Sequence, residues 1–237
     1  MNSPFPLRAA FHVKLLASGL EEETLRSSFR MLGNPWPRDM VITVDDDADT
    51  LVDLLWIRET WNLQSISADF PPLLSDDSVR AHARTETSDA AKTWLDAWPV
   101  IWNACIHHAG LLQDSTIFAQ LRQTTDGSPE RADLLARLVG PSWSGSFGDD
   151  AFTAEYETWN LARFQARTQR HPLSVGNDPE RLSLQALIPA WRTGLSKIVT
   201  IPCQGSYTRV IGQHTLLVTD ETRDDHQRYS EALKQFR

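Results

Sequence analysis

Residues 40–49 read Met-Val-Ile-Thr-Val-Asp-Asp-Asp-Ala-Asp, and this stretch decides the fold class that the sequence predicts. Its first half is apolar and β-branched, whereas its second half carries four carboxylates within five positions. A buried parallel strand has this pattern, because both of its faces are covered and only its tip reaches water. The stretch therefore predicts an α/β protein with a mostly parallel sheet, whose polar edge begins at Asp45.

Length and charge narrow the class of protein further. The chain has 237 residues, and we predict a single α/β domain spanning 1–237. A net charge of −8 argues against a general binder of nucleic acid or of membrane surfaces. Cys105 and Cys203 lie far apart without a metal-binding or redox spacing, which indicates two free, buried thiols. With no apolar segment of roughly 20 residues, these features predict a cytoplasmic protein without a membrane span.

The rest of the N-terminal portion alternates strand and helix patterns. The predicted elements before residue 70 are a strand over 11–16, a small-residue turn at Ser18 and Gly19, a helix over 21–32 ended by Gly33, the strand of the opening stretch, a helix from Asp47 or Asp49 to Trp61, and a further strand over 63–68. Acidic residues in the first turn and glycine after the last turn support the first of these helices. Strands that alternate with helices indicate right-handed crossovers and a parallel sheet.

The middle of the chain, residues 70–190, is predicted to be helical. The predicted elements are a helix from Ser88 or Asp89 that Pro99 kinks or restarts before Gly110, helices over 112–121 and 129–138, a loop over 142–148, a helix from Asp149 or Asp150, and a helix over 182–195 that runs past the end of this region. Trp94, Trp98 and Trp102 repeat every four residues, which indicates burial in a core or an interface. Periodicity leaves open whether this region is a helical layer or an inserted subdomain.

The C-terminal portion returns to alternating strands and helices. The predicted elements are a strand over 197–201, a turn over 203–206, a short helix or extended segment over 207–211, a strand over 214–219, and a helix to Phe236 capped by Asp220 or Thr222. The alternative is that the last two extended segments pair as a hairpin around Gly212. The complete prediction is a mostly parallel sheet of about five strands, with helices on both faces.

Candidate site residues follow from the topology of such a sheet. Ligands of open α/β sheets bind beyond the carboxyl ends of the strands. This rule selects the strand ends at Ser18–Gly19, Asp45–Asp47, Asp69, Cys203–Ser206 and Asp220–Glu221. The candidate ligand-binding residues are Ser18, Gly19, Asp45, Asp46, Asp47, Gly205, Ser206 and, beside that turn, Arg209. Asp45 and Asp47 are the candidate ligands of Mg²⁺ or Mn²⁺, because these cations prefer carboxylate oxygens. The backbone of Gly205 and Ser206, with the Arg209 guanidinium, is a candidate anion site.

Structural explanations compete with each of these assignments. The aspartates of the opening stretch also fit the capping of the next helix, and Gly205 and Ser206 also fit a plain tight turn. His107 and His108 are adjacent on a predicted helix and point in different directions, which disfavours a shared metal. The sequence contains neither of the glycine-rich phosphate-binding motifs, GxGxxG and GxxxxGK[ST]. It also lacks a GxSxG nucleophile motif.

Three segments resemble the opening of the inverting, family 2-type glycosyltransferases. These segments are Glu21 to Leu25, Trp36 to Arg38, and Val41 to Asp46. The resemblance covers about the first 50 residues and implies a Rossmann-like, nucleotide-binding fold that holds a nucleotide-sugar donor. It would place nucleoside contacts at Asp45 or Asp46 and at the turn that begins with Ser18. The later Asp-x-Asp metal motif of that family has no counterpart between residues 69 and 170.

Two functions remain as hypotheses from the sequence. In the first, the chain binds a nucleotide or nucleotide-sugar at the carboxyl edge of its sheet, as a glycosyltransferase-like transferase would. In the second, it is a non-catalytic interaction protein whose acidic surface and tryptophan-rich helices recognise a protein partner.

Overall fold

The computed structural model describes residues 23–25, 35–63, 69–81, 83–84, 89–112, 114, 116–170 and 178–237. The strands are β1 (Glu23–Leu25), β2 (Ile42–Asp45), β3 (Lys197–Ile201), β4 (Thr208–Ile211) and β5 (Thr215–Thr219). The helices are α1 (Asp49–Thr60), α2 (Ser78–Ala81), α3 (Asp89–Ala109), α4 (Thr116–Leu121), α5 (Pro129–Val139), α6 (Trp143–Phe147), α7 (Ala154–Arg170), α8 (Pro179–Leu182), α9 (Leu184–Arg192), α10 (Asp220–Asp224) and α11 (His226–Lys234).

The strands form a mixed sheet in the order β1-β2-β3-β5-β4. The three central strands, β2, β3 and β5, are parallel, whereas each edge strand pairs antiparallel with its neighbour. The alternative hairpin is confirmed, because Ile211 pairs with Thr215 across a turn that contains Gly212 at φ +63°. A glycine fits this turn because positive φ is strained for other residues.

Three of the predicted strands are observed, at β2, β3 and β5. The strand predicted over 11–16 and most of the one predicted over 63–68 lie outside the described residues, so these two strands stay predictions. The helix predicted over 21–32 is wrong where it is described, because residues 23–25 pair with β2 as a strand. Backbone pairing with a sheet edge there outweighs the local helical pattern.

Helices pack against both faces of the sheet. On the first face, α1, α3, α6 and α7 share one core cluster with Val199, Ile201 and Leu217 of the central strands. On the second face, α9 and α11 share another cluster with Ile198 and Leu216. Successive residues of β3 and β5 thus enter opposite cores, as expected of buried strands. The division of the chain into domains stays a prediction.

Several predicted helix boundaries change in the structure. Helix α3 continues through Pro99 as one helix of 21 residues, so no restart occurs there. The predicted loop over 142–148 contains α6, which forms because the Ser142 hydroxyl accepts the Gly145 N–H at 3.1 Å and Trp143 is buried. The predicted terminal helix is two helices, capped by Thr219 and Asp225 rather than by Asp220 or Thr222.

The tryptophan stripe belongs to the core, as predicted. Trp98 and Trp102 are fully buried and stack with ring centroids 5.3 Å apart, while Trp94 is half-buried. The Trp98 indole donates to the backbone oxygen of Leu54 at 2.7 Å, which ties α3 to α1. Each of the nine tryptophans is buried or half-buried, so none offers an exposed stacking surface.

Both cysteines are free and buried, as predicted. Burial raises the pKa of the Cys105 thiol to about 12 and also raises that of Cys203. Because the thiolate is the reactive form, we expect both thiols of the native protein to react with iodoacetamide at pH 8 more than about a hundredfold slower than in denaturant. Mass spectrometry after timed labelling measures this ratio, and rapid labelling of either native thiol would contradict the burial described.

None of the helices in the described ranges combines the length and apolar composition that crossing a membrane requires.

Candidate functional site

The carboxyl ends of β2, β3 and β5 lie at one edge of the sheet because these three strands are parallel. After β2 the chain enters α1 on the first face, whereas after β5 it passes through α10 into α11, which packs on the second face. The tip of β3 therefore lies between loops that diverge to opposite faces. Ligands of open α/β sheets bind at such a divergence.

The aspartates after β2 contact a helix that is more than a hundred residues away in the chain. Arg163 of α7 donates to Asp47 Oδ1 at 3.0 Å and to Asp49 Oδ1 at 3.1 Å. Arg167, one turn later, donates to Asp47 Oδ2 at 2.8 Å and to the backbone oxygen of Asp46 at 3.2 Å. Two guanidinium groups thus bind the Asp47 carboxylate, and these arginine–aspartate pairs join α7 to the end of β2.

These contacts correct the capping prediction for α1. Its N-cap residue is Ala48, and no side chain makes a capping hydrogen bond there. Asp47 and Asp49 instead direct carboxylate oxygens at Arg163. A charged guanidinium is a stronger hydrogen-bond donor than a backbone N–H, which is the physical reason for this choice.

Asp45 has a separate partner. Its Oδ2 lies 2.9 Å from Nζ of Lys197 in the neighbouring strand β3, and these side chains are 18% and 14% exposed. Four carboxylates (Asp45, Asp46, Asp47 and Asp49) and three cations (Arg163, Arg167 and Lys197), here called the network, therefore lie at this strand tip. They comprise a cluster around the two arginines and the separate Asp45–Lys197 pair, with a summed formal charge of −1. The network is nearly neutral although the strand tip is strongly acidic in sequence.

Burial and neighbouring charges affect the pKa values of Asp47 and Arg163 differently. Burial raises the pKa of Asp47, and the neighbouring Asp49 adds to this, against the opposing effect of Arg163 and Arg167. Burial alone would lower the pKa of Arg163, but the carboxylates of Asp47 and Asp49 outweigh it and raise that pKa. Arg163 therefore stays charged, whereas Asp47 takes up a proton more readily than an exposed aspartate does.

The predicted metal ligands, Asp45 and Asp47, are already engaged by cationic side chains. A divalent ion at these oxygens would have to displace the Lys197 ammonium and the guanidinium groups of Arg163 and Arg167. In the described part of the chain, no three His, Cys, Asp or Glu side chains are grouped to hold a metal ion. The arrangement does not fit a preformed Mg²⁺ or Mn²⁺ site.

The predicted anion site lies on the other side of β3. The Gly205 N–H donates to Glu221 Oε2 at 2.8 Å, and the Arg209 guanidinium donates to the backbone oxygen of Asp69 at 3.4 Å. Ser206 is exposed. Arg209 belongs to β4, three strand positions from β2, which is roughly 14 Å across the sheet. The structure thus separates Arg209 from the aspartates, while Ser18 and Gly19 lie outside the described residues.

Sequence reasoning missed the cationic half of the network. Arg163 and Arg167 are four residues apart in a helix, so both occupy one face, and this spacing was the available signal. It also missed the segment beside the tip of β3, where Leu74 forms an antiparallel bridge with Cys203. Comparisons of the chain with protein-family models, with curated proteins and with solved structures give no match.

Proposed function

We propose that this chain binds a nucleotide or nucleotide-sugar at the carboxyl edge of its sheet. The observation that carries the proposal is the divergence of the loops after β2 and β5 around the tip of β3. Both faces are filled by core clusters, whereas this edge carries partly exposed polar groups. A nucleotide ligand also fits the cytoplasmic location predicted from the sequence.

Asp45 and Asp46 are the residues proposed to contact the nucleoside. Their side chains are 18% and 30% exposed; Asp45 pairs with Lys197 and Asp46 with Arg167, whereas Asp47 is held by two arginines. Carboxylates in this setting accept hydrogen bonds from ribose hydroxyls and base amines. The same two positions are those at which the glycosyltransferase resemblance implies nucleoside contacts. That resemblance extends the proposal to transfer of the sugar, with no catalytic residue assigned.

Ligand-induced stabilisation tests this proposal. A nucleoside diphosphate with Mn²⁺, at about 100 times its Kd, should stabilise the protein by about 2.7 kcal/mol and raise Tm by roughly 5–10 °C. The combined changes Asp45→Ala and Asp46→Ala should abolish the shift, because they remove the acceptors for the nucleoside. Differential scanning fluorimetry with uridine, guanosine, adenosine and cytidine diphosphates measures it, and Mn²⁺ alone serves as the blank.

Asp39→Ala is the matched control, because Asp39 is an exposed aspartate just before the opposite end of β2. This variant should keep the full shift. If no nucleoside diphosphate changes Tm in the wild-type protein, or if the double variant keeps the shift, the proposal is wrong.

Recognition of a protein partner is the second candidate function, and one surface feature favours it. Leu111 and Leu112 are 50% and 60% exposed and form an apolar patch directly after Gly110, which lies against the β4–β5 hairpin. Because no tryptophan is exposed, a partner would contact this apolar patch and not the tryptophan stripe. A partner retained from lysate by the wild-type chain but not by Leu112→Asp, without any nucleotide effect on Tm, would favour this function.

A further inference from the structure

Helix α7 is attached to the rest of the protein by two different kinds of contact. Its N-terminal half is anchored by aromatic burial, because Tyr156 is 2% exposed and its ring lies 5.0 Å from that of Trp56. The Tyr156 hydroxyl also donates to Asp53 of α1. Burial of this kind responds weakly to salt.

The C-terminal half of α7, residues 161–169, contains no buried side chain. Leu161 is 58% exposed, and the Arg163 and Arg167 side chains are only 15% exposed because they reach down to Asp47. This half therefore lies against the strand tip mainly through ion pairs. Salt screens partly buried ion pairs less than exposed ones, but it weakens them more than it weakens the aromatic contacts of the first half.

We infer that residues 161–169 form a salt-sensitive cover over the carboxylates of Asp46 and Asp47. The anchored half of α7 is the fixed point, and the arginine–aspartate pairs hold the cover closed. The role of the cover rests on the proposed function, since a ligand that reaches Asp46 must compete with Arg167 for this tip. Breaking the pairs opens the cover and leaves the aromatic anchor in place.

Hydrogen exchange of backbone amides tests the cover directly. In a variant with Arg163→Gln and Arg167→Gln, we expect amides of residues 164–169 to exchange about tenfold faster, because hydrogen bonds to charged groups that hold this half are lost. Amides of residues 157–160 should keep their wild-type rates. Arg137→Gln is the matched control, because Arg137 is exposed and lies 3.7 Å from a single exposed aspartate, Asp114.

The wild-type protein provides the same test without a substitution. Raising NaCl from about 0.1 M to about 1 M shortens the Debye length from about 10 Å to about 3 Å and should speed exchange in residues 164–169 selectively. Unchanged exchange there, in both the double variant and high salt, would overturn the cover. Equal acceleration along all of α7 would overturn it as well, since the aromatic half would then not be a separate anchor.

Nucleotide affinity separates this inference from the proposed function. If the cover competes with the ligand, the double variant should bind a nucleoside diphosphate more tightly than wild type, because less of the protein is closed. Unchanged or weaker binding by a variant with accelerated exchange would overturn the covering role. If neither protein binds any nucleotide, the proposed function fails, and the exchange rates alone decide whether the ion pairs hold residues 161–169 closed.

Discussion

Replacing Glu180 by alanine is expected to lower the free energy of unfolding by about 3–5 kcal/mol, the usual cost of removing one partner of a buried ion pair. Glu180 is fully buried, and its carboxylate accepts two hydrogen bonds from Arg223, at 2.8 and 2.9 Å. It also accepts the Tyr229 hydroxyl at 2.8 Å. Without Glu180, the Arg223 cation and the Tyr229 hydroxyl would both lose their partner inside the second core.

The environment of Tyr229 supports this expectation. Burial and the Glu180 carboxylate raise the pKa of the Tyr229 hydroxyl well above its ordinary value, so the hydroxyl stays protonated and donates. The three residues connect α8 to α10 and α11. Loss of the carboxylate therefore weakens three helices at once, and not only one pair.

Asp178→Ala is the matched control for Glu180→Ala. Asp178 also pairs with an arginine near the start of α8, but Asp178 and Arg181 are 28% and 24% exposed. Pairs that are this accessible to water contribute about 0–1 kcal/mol. Urea unfolding followed by tryptophan fluorescence measures both variants. Equal losses in the two would show that burial of Glu180 has no special energetic role.

Replacing Gly212 by alanine is expected to cost about 2–5 kcal/mol. A positive φ of +63° costs a non-glycine residue about 1–2 kcal/mol, and crowding in a packed region adds about 1–3 kcal/mol. A Cβ at this position would lie 2.5 Å from the backbone oxygen of Gly110, just beyond the end of α3. Neither backbone can move easily, because Gly110 follows a helix of 21 residues and Gly212 closes the β4–β5 hairpin.

Gly127→Ala separates the two causes. Gly127 has a similar φ of +78°, but a Cβ there would meet no atom within 4 Å. Its expected cost is only the backbone component, about 1–2 kcal/mol. Thermal or urea unfolding of both variants gives the difference, and a Gly212→Ala cost no larger than that of Gly127→Ala would refute the close approach of α3 to the hairpin.

The bounds of several elements, beginning with the strand in residues 40–49, could be predicted from the local sequence pattern. The strand predicted before Asp45 is observed over residues 42–45, with Ile42 and Val44 buried in the second core and Thr43 and Asp45 half-buried. An apolar, β-branched run favours such a strand within a sheet. Strand β3 was predicted over the same residues that form it, 197–201. Helix α5 differs from its prediction by one residue, because Pro129 follows the capping Ser128 and Gly140 follows its end.

Errors arose where a distant partner decided the outcome. Residues 23–25 carry a helical pattern and yet pair with β2, since a sheet edge offers backbone hydrogen bonds that a local pattern does not reveal. The α1 cap was assigned to Asp47 or Asp49, although both carboxylates bind Arg163, which is 116 and 114 residues away. Because Arg163 is so far away in the chain, the local pattern could not reveal it as a stronger donor than the backbone N–H groups of α1.

The sequence by itself determined that this protein is α/β, that the strand at 42–45 ends in a run of aspartates, and that the tryptophans of α3 are core residues. These conclusions depend on periodicity and burial, which adjacent residues encode. Only the tertiary structure decided which charges meet these aspartates. The approach of α7 brings Arg163 and Arg167 to the strand tip, and pairing of β2 with β3 brings Lys197. These cations nearly neutralise the acidic run, because Coulomb energies depend on distance in space and not along the chain.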